Sequence, residues 1–104
     1  MEPLMALSTT DIQDIVLAAL AGANLARDPG GQLLVAPDAP LFGPGSPLDS
    51  LGLVGLLVDI EDALRDRGVE VELSDARAMS QTRSPFRDVP ALVGYIDGLM
   101  ARPA

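Results

Sequence analysis

Apolar residues recur at helical spacing in three stretches of the chain, and this pattern predicts three main helices. The first helix is expected from about Thr10 to Leu25, where hydroxyl side chains can cap its start and a Pro-Gly-Gly run follows its end. The second is expected from about Ser50 to Asp66, with Gly68 as its C-terminal cap. The third follows Asp88, whose carboxylate can cap its first turn.

Each predicted helix has one apolar face that is expected to be buried. The expected core residues are Ile12, Ile15, Val16, Ala19, Leu20, Leu53, Leu56, Leu57, Ile60, Leu64, Val89, Leu92, Val93 and Ile96, with Leu99 or Met100. The second helix also places Leu51 and Val58 on the face away from this core, beside acids such as Asp62, which is a hint of protein docking. On the same helix, Glu61 and Arg65 have the spacing of an i,i+4 ion pair.

The segments between the helices are expected to cross the bundle. Residues 28–49 form a long connection rich in Pro and Gly, and apolar clusters at 33–35 and 41–42 are expected to pin it. The alternating run at 69–73 is expected to be extended with its apolar side chains inward, and Phe86 is expected to be an anchor. A short helix at Ala76–Met79 completes the predicted fold class. This class is all-α, a small four-helix bundle of three main helices and one short helix with a long first loop.

Length and composition predict one domain. Residues 8–100 are expected to form it, between a flexible N-terminus at 1–7 and a tail at 101–104. No apolar run approaches the roughly 18 residues of a membrane span, and no signal peptide is recognisable, so we expect a cytoplasmic monomer. With 15 acidic and 7 basic residues, the net charge of -8 disfavours nucleic acid and membranes and favours partners with basic docking surfaces.

The chain lacks the usual catalytic side chains, since it contains no His, Cys or Lys. General bases near neutral pH are usually His, and covalent nucleophiles are usually Cys, Lys or a base-activated Ser, so we expect no catalytic residues and no enzyme. Ser50 is nevertheless the candidate site, because it stands where the second helix is expected to begin. A helix N-terminus can hold a phosphate group, but a serine there is more often the N-cap, and spacing alone favours the cap.

Two glycines, Gly52 and Gly55, lie in the first turns after Ser50. Each costs ~1 kcal/mol relative to Ala in a helix interior, so their presence calls for a physical reason. Either a large partner approaches the backbone there, or the first turn is irregular and the cost is small. The sequence leaves both explanations open.

The run Leu48-Asp49-Ser50-Leu51, followed by an acidic amphipathic helix, resembles the phosphopantetheine attachment motif of acyl carrier proteins. Leu41-Phe42-Gly43 before the motif and Leu92-Val93-Gly94-Tyr95-Ile96 in the last helix fall in the order of that family. The resemblance covers roughly residues 8–100, and this context makes the short Asp-Ser-Leu motif specific.

The resemblance implies that Ser50 receives 4'-phosphopantetheine from coenzyme A through a separate phosphopantetheinyl transferase. The thiol of this arm then carries an acyl group as a thioester, and Asp49 assists recognition by the transferase. Leu51, Val58, Glu61 and Asp62 correspond to the helix face that partner enzymes read. These partners are acyl-activating enzymes, synthases and acyltransferases with basic docking surfaces, and no metal site of the chain's own is implied.

Two features depart from the usual pattern of the family. Positions that are often acidic in the first turns of the helix are Gly52 and Gly55 here, and the segment 79–87 is longer than in a typical fatty-acid carrier. Both favour a free-standing carrier in polyketide, fatty-acid-like or other specialised biosynthesis. The alternatives are an aminoacyl or peptidyl carrier of the same fold and an unmodified acidic protein-interaction bundle.

Overall fold

The computed structural model describes residues 7–42, 48–73 and 86–101, apart from the side chains of Ser50 and Ala101. These residues form no strand and contain three α-helices, α1 (Thr9–Asn24), α2 (Ser50–Asp66) and α3 (Val89–Ala101), with a 3-10 turn at Pro29–Gly31. Helix α1 packs against both α2 and α3, whereas within the described ranges no Cα atom of α2 lies within 8 Å of a Cα atom of α3. The all-α class is therefore confirmed.

The short helix that completes the expected four-helix bundle, at Ala76–Met79, lies outside the described residues. The same is true of residues 1–6, expected to be flexible, and of residues 102–104 of the expected tail. The described architecture is consequently an arrangement of three helices, with α1 as the element common to both helix–helix contacts.

Each helix starts at a polar residue that caps it. For α1, the Ser8 Oγ accepts a hydrogen bond from the Asp11 N–H and the Asp11 Oδ2 accepts one from the Ser8 N–H, both at 3.1 Å, which is a capping box. For α3, the Asp88 Oδ1 accepts from the Ala91 N–H at 2.8 Å, as expected. Capping satisfies first-turn amides that have no partner inside a helix.

The two long helices end in different ways. Helix α2 ends as predicted, because Gly68 adopts a φ of 84° and its N–H donates to the Arg65 carbonyl at 2.9 Å. Helix α1 ends at Asn24, well before the Pro-Gly-Gly run, which forms its own turn. The Gln32 Nε2 donates to the carbonyl oxygens of Asn24 and Arg27 at 3.0 and 2.9 Å, so a side chain from the loop supplies the cap.

The predicted apolar stripes form the core. The buried members are Ile12, Ile15, Val16, Leu20, Leu53, Leu56, Leu57, Ile60, Leu64, Val89, Leu92 and Ile96, while Ala19, Val93, Leu99 and Met100 are partly buried against them. Phe86 is the expected anchor, only 1% exposed, and its ring meets that of Tyr95 edge-on with centroids 6.0 Å apart. The helical period of the sequence therefore identified the buried faces correctly.

The long first loop is pinned to the helices, as expected, but each apolar cluster contributes only one buried residue. Leu33 and Leu41 are buried, whereas Leu34, Val35 and Phe42 are exposed. The side-chain amide of Asn24 brackets Leu33 by donating to its carbonyl at 2.9 Å and accepting from its N–H at 2.7 Å. Further along, the Leu41 N–H donates to the Arg87 carbonyl at 2.9 Å, which ties the loop to the start of α3.

The expected ion pair between Glu61 and Arg65 is wrong. Arg65 instead pairs with Asp62 at 2.9 Å, and the Glu61 Oε2 accepts a hydrogen bond from the Leu73 N–H at 2.5 Å. The reason is that the extended segment after Gly68 returns along α2, with Val69 and Leu73 buried, so its main chain reaches the Glu61 carboxylate. Val71, also expected inward, is partly buried.

The capping box of α1 makes its stability depend on pH in a defined direction. Hydrogen bonds from the Ser8 main chain and then its side chain lower the pKa of Asp11 below the ordinary value of 3.8. A carboxyl with a lowered pKa stabilises the folded state above its ordinary pKa, and this contribution is lost as the pH falls through the folded-state pKa. Ser8→Ala is expected to lower the free energy of unfolding by about 1 kcal/mol at neutral pH.

Urea unfolding at neutral pH and at pH 3 measures this dependence. The difference in the free energy of unfolding between Ser8→Ala and the wild type should be smaller at the lower pH. Asp11→Asn should make the free energy of unfolding depend less on pH. Asp14→Asn is the control, because Asp14 is an exposed acid of the same helix outside the capping box. An equal effect of Asp11→Asn and Asp14→Asn would contradict the prediction.

Candidate functional site

The first turn of α2 is capped by Asp49 and not by Ser50. The Asp49 Oδ1 accepts a hydrogen bond from the Gly52 N–H at 2.7 Å, and the Asp49 carbonyl accepts from the Leu53 N–H at 2.8 Å. Ser50 is thus the first residue of the helix, and the interpretation of Ser50 as the N-cap is wrong. The side chain of Ser50 is outside the part of the chain that the structure describes.

The glycine at position 52 is explained by the chain's own packing. Leu48 is buried, and a Cβ added at Gly52 would stand 2.9 Å from the Leu48 Cδ1 and 3.1 Å from the Asp49 Oδ1. The close neighbours belong to the two residues before Ser50, so the chain itself supplies a reason for glycine at this position that the sequence did not reveal. At Gly55, by contrast, an added Cβ would meet nothing within 4 Å.

The outward face of α2 near Ser50 is apolar. Leu51 is 81% exposed and Val58 is 41% exposed, so both lie on the outer face as predicted. Val54 is also exposed and was missed by the sequence interpretation, although it stands three residues after Leu51 and four before Val58. Such spacing puts the three side chains on neighbouring turns of one face. We call Leu51, Val54 and Val58 the apolar patch.

The second half of α2 is acidic. Asp59, Asp62 and Asp66 are exposed there, and we call these three residues the acidic half. Asp62 forms an ion pair with Arg65, and both side chains remain 60% exposed. Glu61 is different, because it is partly buried and its carboxylate holds the Leu73 main chain. Of the two acids that the sequence assigned to docking, Asp62 is the accessible one.

The charges on α2 are mixed with respect to the helix dipole. The first turn of the helix contains no acidic residue, and the last turn holds both the unfavourable Asp66 and the favourable Arg65. Arg65 also pairs with Asp62, so part of the acidic half is offset by charge within the helix itself.

Two open clefts of about 390 Å³ each lie among the described residues, one between the first turns of α1 and α3 and one beside Glu61 and Arg65, and neither is lined by Asp49 or the apolar patch. The described residues contain no group of three or more His, Cys, Asp or Glu side chains that could hold a metal ion.

The described helices include none with the length and apolar character needed to cross a membrane.

The assignment of the cap to Asp49 predicts opposite outcomes for two adjacent substitutions. Asp49→Ala should lower the free energy of unfolding by about 1 kcal/mol, because the Gly52 N–H loses its side-chain partner. Ser50→Ala should change it by less than about 0.5 kcal/mol, as is usual for a substitution that removes no cap. Urea denaturation of both variants measures the difference, and a larger loss for Ser50→Ala than for Asp49→Ala would contradict the assignment.

Comparison of the chain with protein-family models, with curated proteins and with solved structures gave no match. The resemblance to acyl carrier proteins therefore stays a prediction from the sequence, based on Leu48-Asp49-Ser50-Leu51 and the order of the elements around it. These are the observations on which a function can be proposed.

Proposed function

We propose that this chain is a carrier protein of the acyl carrier type, with Ser50 as the attachment residue for 4'-phosphopantetheine. The observation that carries the proposal is the cap of α2. Because Asp49 supplies the cap, Ser50 has no capping role and occupies the first position of the helix. The proposed fold is the four-helix carrier bundle, in which residues 76–79 supply the short helix in addition to α1, α2 and α3.

The electrostatics of this position favour a phosphodiester. The N-terminus of a helix presents free N–H groups and a partial positive charge, which together attract phosphate. The interaction with the dipole is worth about 0.3–1 kcal/mol. The Asp49 carboxylate already binds the Gly52 N–H at this end, while the first turn itself, which begins at Ser50, contains no acidic residue.

The modification is carried out by a second protein in this proposal. The Ser50 oxygen forms a bond to phosphorus as the nucleotide part of coenzyme A departs, and the hydroxyl proton must be taken up by a base. With no His and no Lys, the chain has neither of the side chains that most often serve as such a base. A phosphopantetheinyl transferase supplies these groups, and the thiol of the attached arm then carries the acyl cargo as a thioester.

The surface of α2 is the proposed recognition site for the transferase and for the enzymes that load or use the cargo. The apolar patch begins next to Ser50, and the acidic half follows it along the same helix. Apolar side chains at the centre of a contact give affinity, while charges steer the encounter and set its register. Exposed acids fit this role, because a basic partner surface neutralises them on binding.

The attachment is tested by incubating the chain with coenzyme A, magnesium and a phosphopantetheinyl transferase of broad specificity. Intact mass should rise by one phosphopantetheine, and the Ser50→Ala variant should stay at its original mass. Because Asp49 holds the cap, Ser50→Ala is expected to remain folded, which circular dichroism checks. Folded wild-type protein that gains no mass would overturn the proposal.

The docking surface is tested by reversing one charge. Asp62→Arg should slow association with a partner enzyme at least about threefold at low salt, since opposite charges across an interface mainly raise the association rate. The effect should shrink at high salt, because the screening length falls from about 30 Å at 0.01 M to about 3 Å at 1 M. Stopped-flow binding at several ionic strengths measures both.

Asp14→Arg is the matched control for this charge reversal, because it changes the net charge equally from an exposed position on α1. Equal slowing by Asp14→Arg and Asp62→Arg would mean that net charge, and not the face of α2, governs the association.

A further inference from the structure

Gly52 stands where the two residues before Ser50 meet the first turn of α2. Its N–H donates to the Asp49 Oδ1 at 2.7 Å, and its missing side chain leaves room for the Leu48 Cδ1. We propose that Gly52 is a positioning residue for the modification of Ser50, because it lets the buried Leu48 and the capping Asp49 fix the main chain that leads into the attachment residue.

A side chain at position 52 fits only if the end of the Leu48 side chain shifts. Carbon atoms that are not bonded pack best about 3.5–4.0 Å apart, whereas a Cβ at position 52 would be 2.9 Å from the Leu48 Cδ1. Leu48 has little room to retreat, because it is only 6% exposed and belongs to the core. The other close atom, the Asp49 Oδ1, is held by its hydrogen bond to the Gly52 N–H.

Any adjustment to a side chain at position 52 therefore moves Leu48 or Asp49. These two residues immediately precede Ser50, and the Asp49 carbonyl also accepts the first hydrogen bond of the helix from the Leu53 N–H at 2.8 Å. A displacement of this main chain changes where the Ser50 hydroxyl lies in the active site of a transferase. Misplacement by about 1 Å can slow a reaction 100-fold, so a shift of a few tenths of an ångström is expected to be measurable.

This inference rests on the proposed attachment at Ser50, and a kinetic comparison separates the two. Initial rates of phosphopantetheine transfer from coenzyme A are measured against carrier concentration for the wild type, Gly52→Ala and Gly98→Ala. Gly52→Ala should lower kcat about tenfold and change KM less than about twofold, because the docking surface stays intact. Gly98→Ala is the control on α3 and should leave kcat unchanged, because its Cβ meets nothing within 4 Å.

A second substitution tests the contact itself. Leu48→Val removes the terminal carbons of Leu48, so the double variant Leu48→Val/Gly52→Ala should recover at least about threefold of the lost kcat. Leu48→Val alone should give no such gain, and the non-additivity of the pair measures the coupling. If circular dichroism shows that Gly52→Ala is unfolded, the double variant is compared with Leu48→Val instead. A folded double variant whose kcat is tenfold below that of Leu48→Val overturns the inference.

Amide exchange and chemical shifts of the unmodified protein provide a readout that needs no transferase. Gly52→Ala should reduce protection of the amide at position 52 and shift the resonances of residues 48–50, whereas Gly98→Ala should leave both unchanged. If the wild type is modified and Gly52→Ala is modified with the same kcat, the positioning role is overturned and the proposed function stands. A folded wild-type chain that is never modified overturns the proposed function, and unchanged spectra at residues 48–50 overturn the effect of Gly52 by themselves.

Discussion

The hydrogen bond from the Gly52 N–H to the Asp49 Oδ1 is the interaction on which the proposed site depends. It starts α2 at Ser50 and gives the capping task to the residue before it. Leu48 adds a second constraint, because its burial ties the approach to the helix into the core. Together they hold the main chain on the N-terminal side of Ser50, while the outer face of the following turns stays open to a partner.

Helix α2 has a buried apolar inner face and an outer face whose two halves differ in polarity. Its inner stripe is buried entirely, which fixes the rotation of the helix about its axis and so decides which residues face outward. The outer face then runs from the apolar patch to the acidic half along roughly 22 Å of helix, since each residue adds about 1.5 Å. The burial of Leu53 and Leu57 thus controls the presentation of Leu51 and Val58, although these pairs point in different directions.

The parts that the sequence predicted well are those governed by local period and local capping. The core stripes, the end of α2 at Gly68 and the cap at Asp88 all follow from rules that involve residues a few positions apart. The Glu61 contact could not be predicted in this way. Its partner, the Leu73 amide, lies 12 positions later in the chain and returns to α2 after the turn at Gly68. The reason for glycine at position 52 could not be predicted either, because it depends on the distance from that position to the Leu48 Cδ1 in the folded structure. Val54 could have been found from its spacing to Leu51 and Val58 alone.

The position of α1 between its two neighbours has a consequence for the order of folding. Helix α1 contacts α3, which lies at the other end of the described chain, as well as α2. Contacts between such distant segments form late, because the intervening chain must first lose its freedom to close the loop. The apolar face of α1 is covered completely only after α3 arrives. A partner that recognises α2 in its native position therefore binds a chain in which the contact between α1 and α3 has already formed.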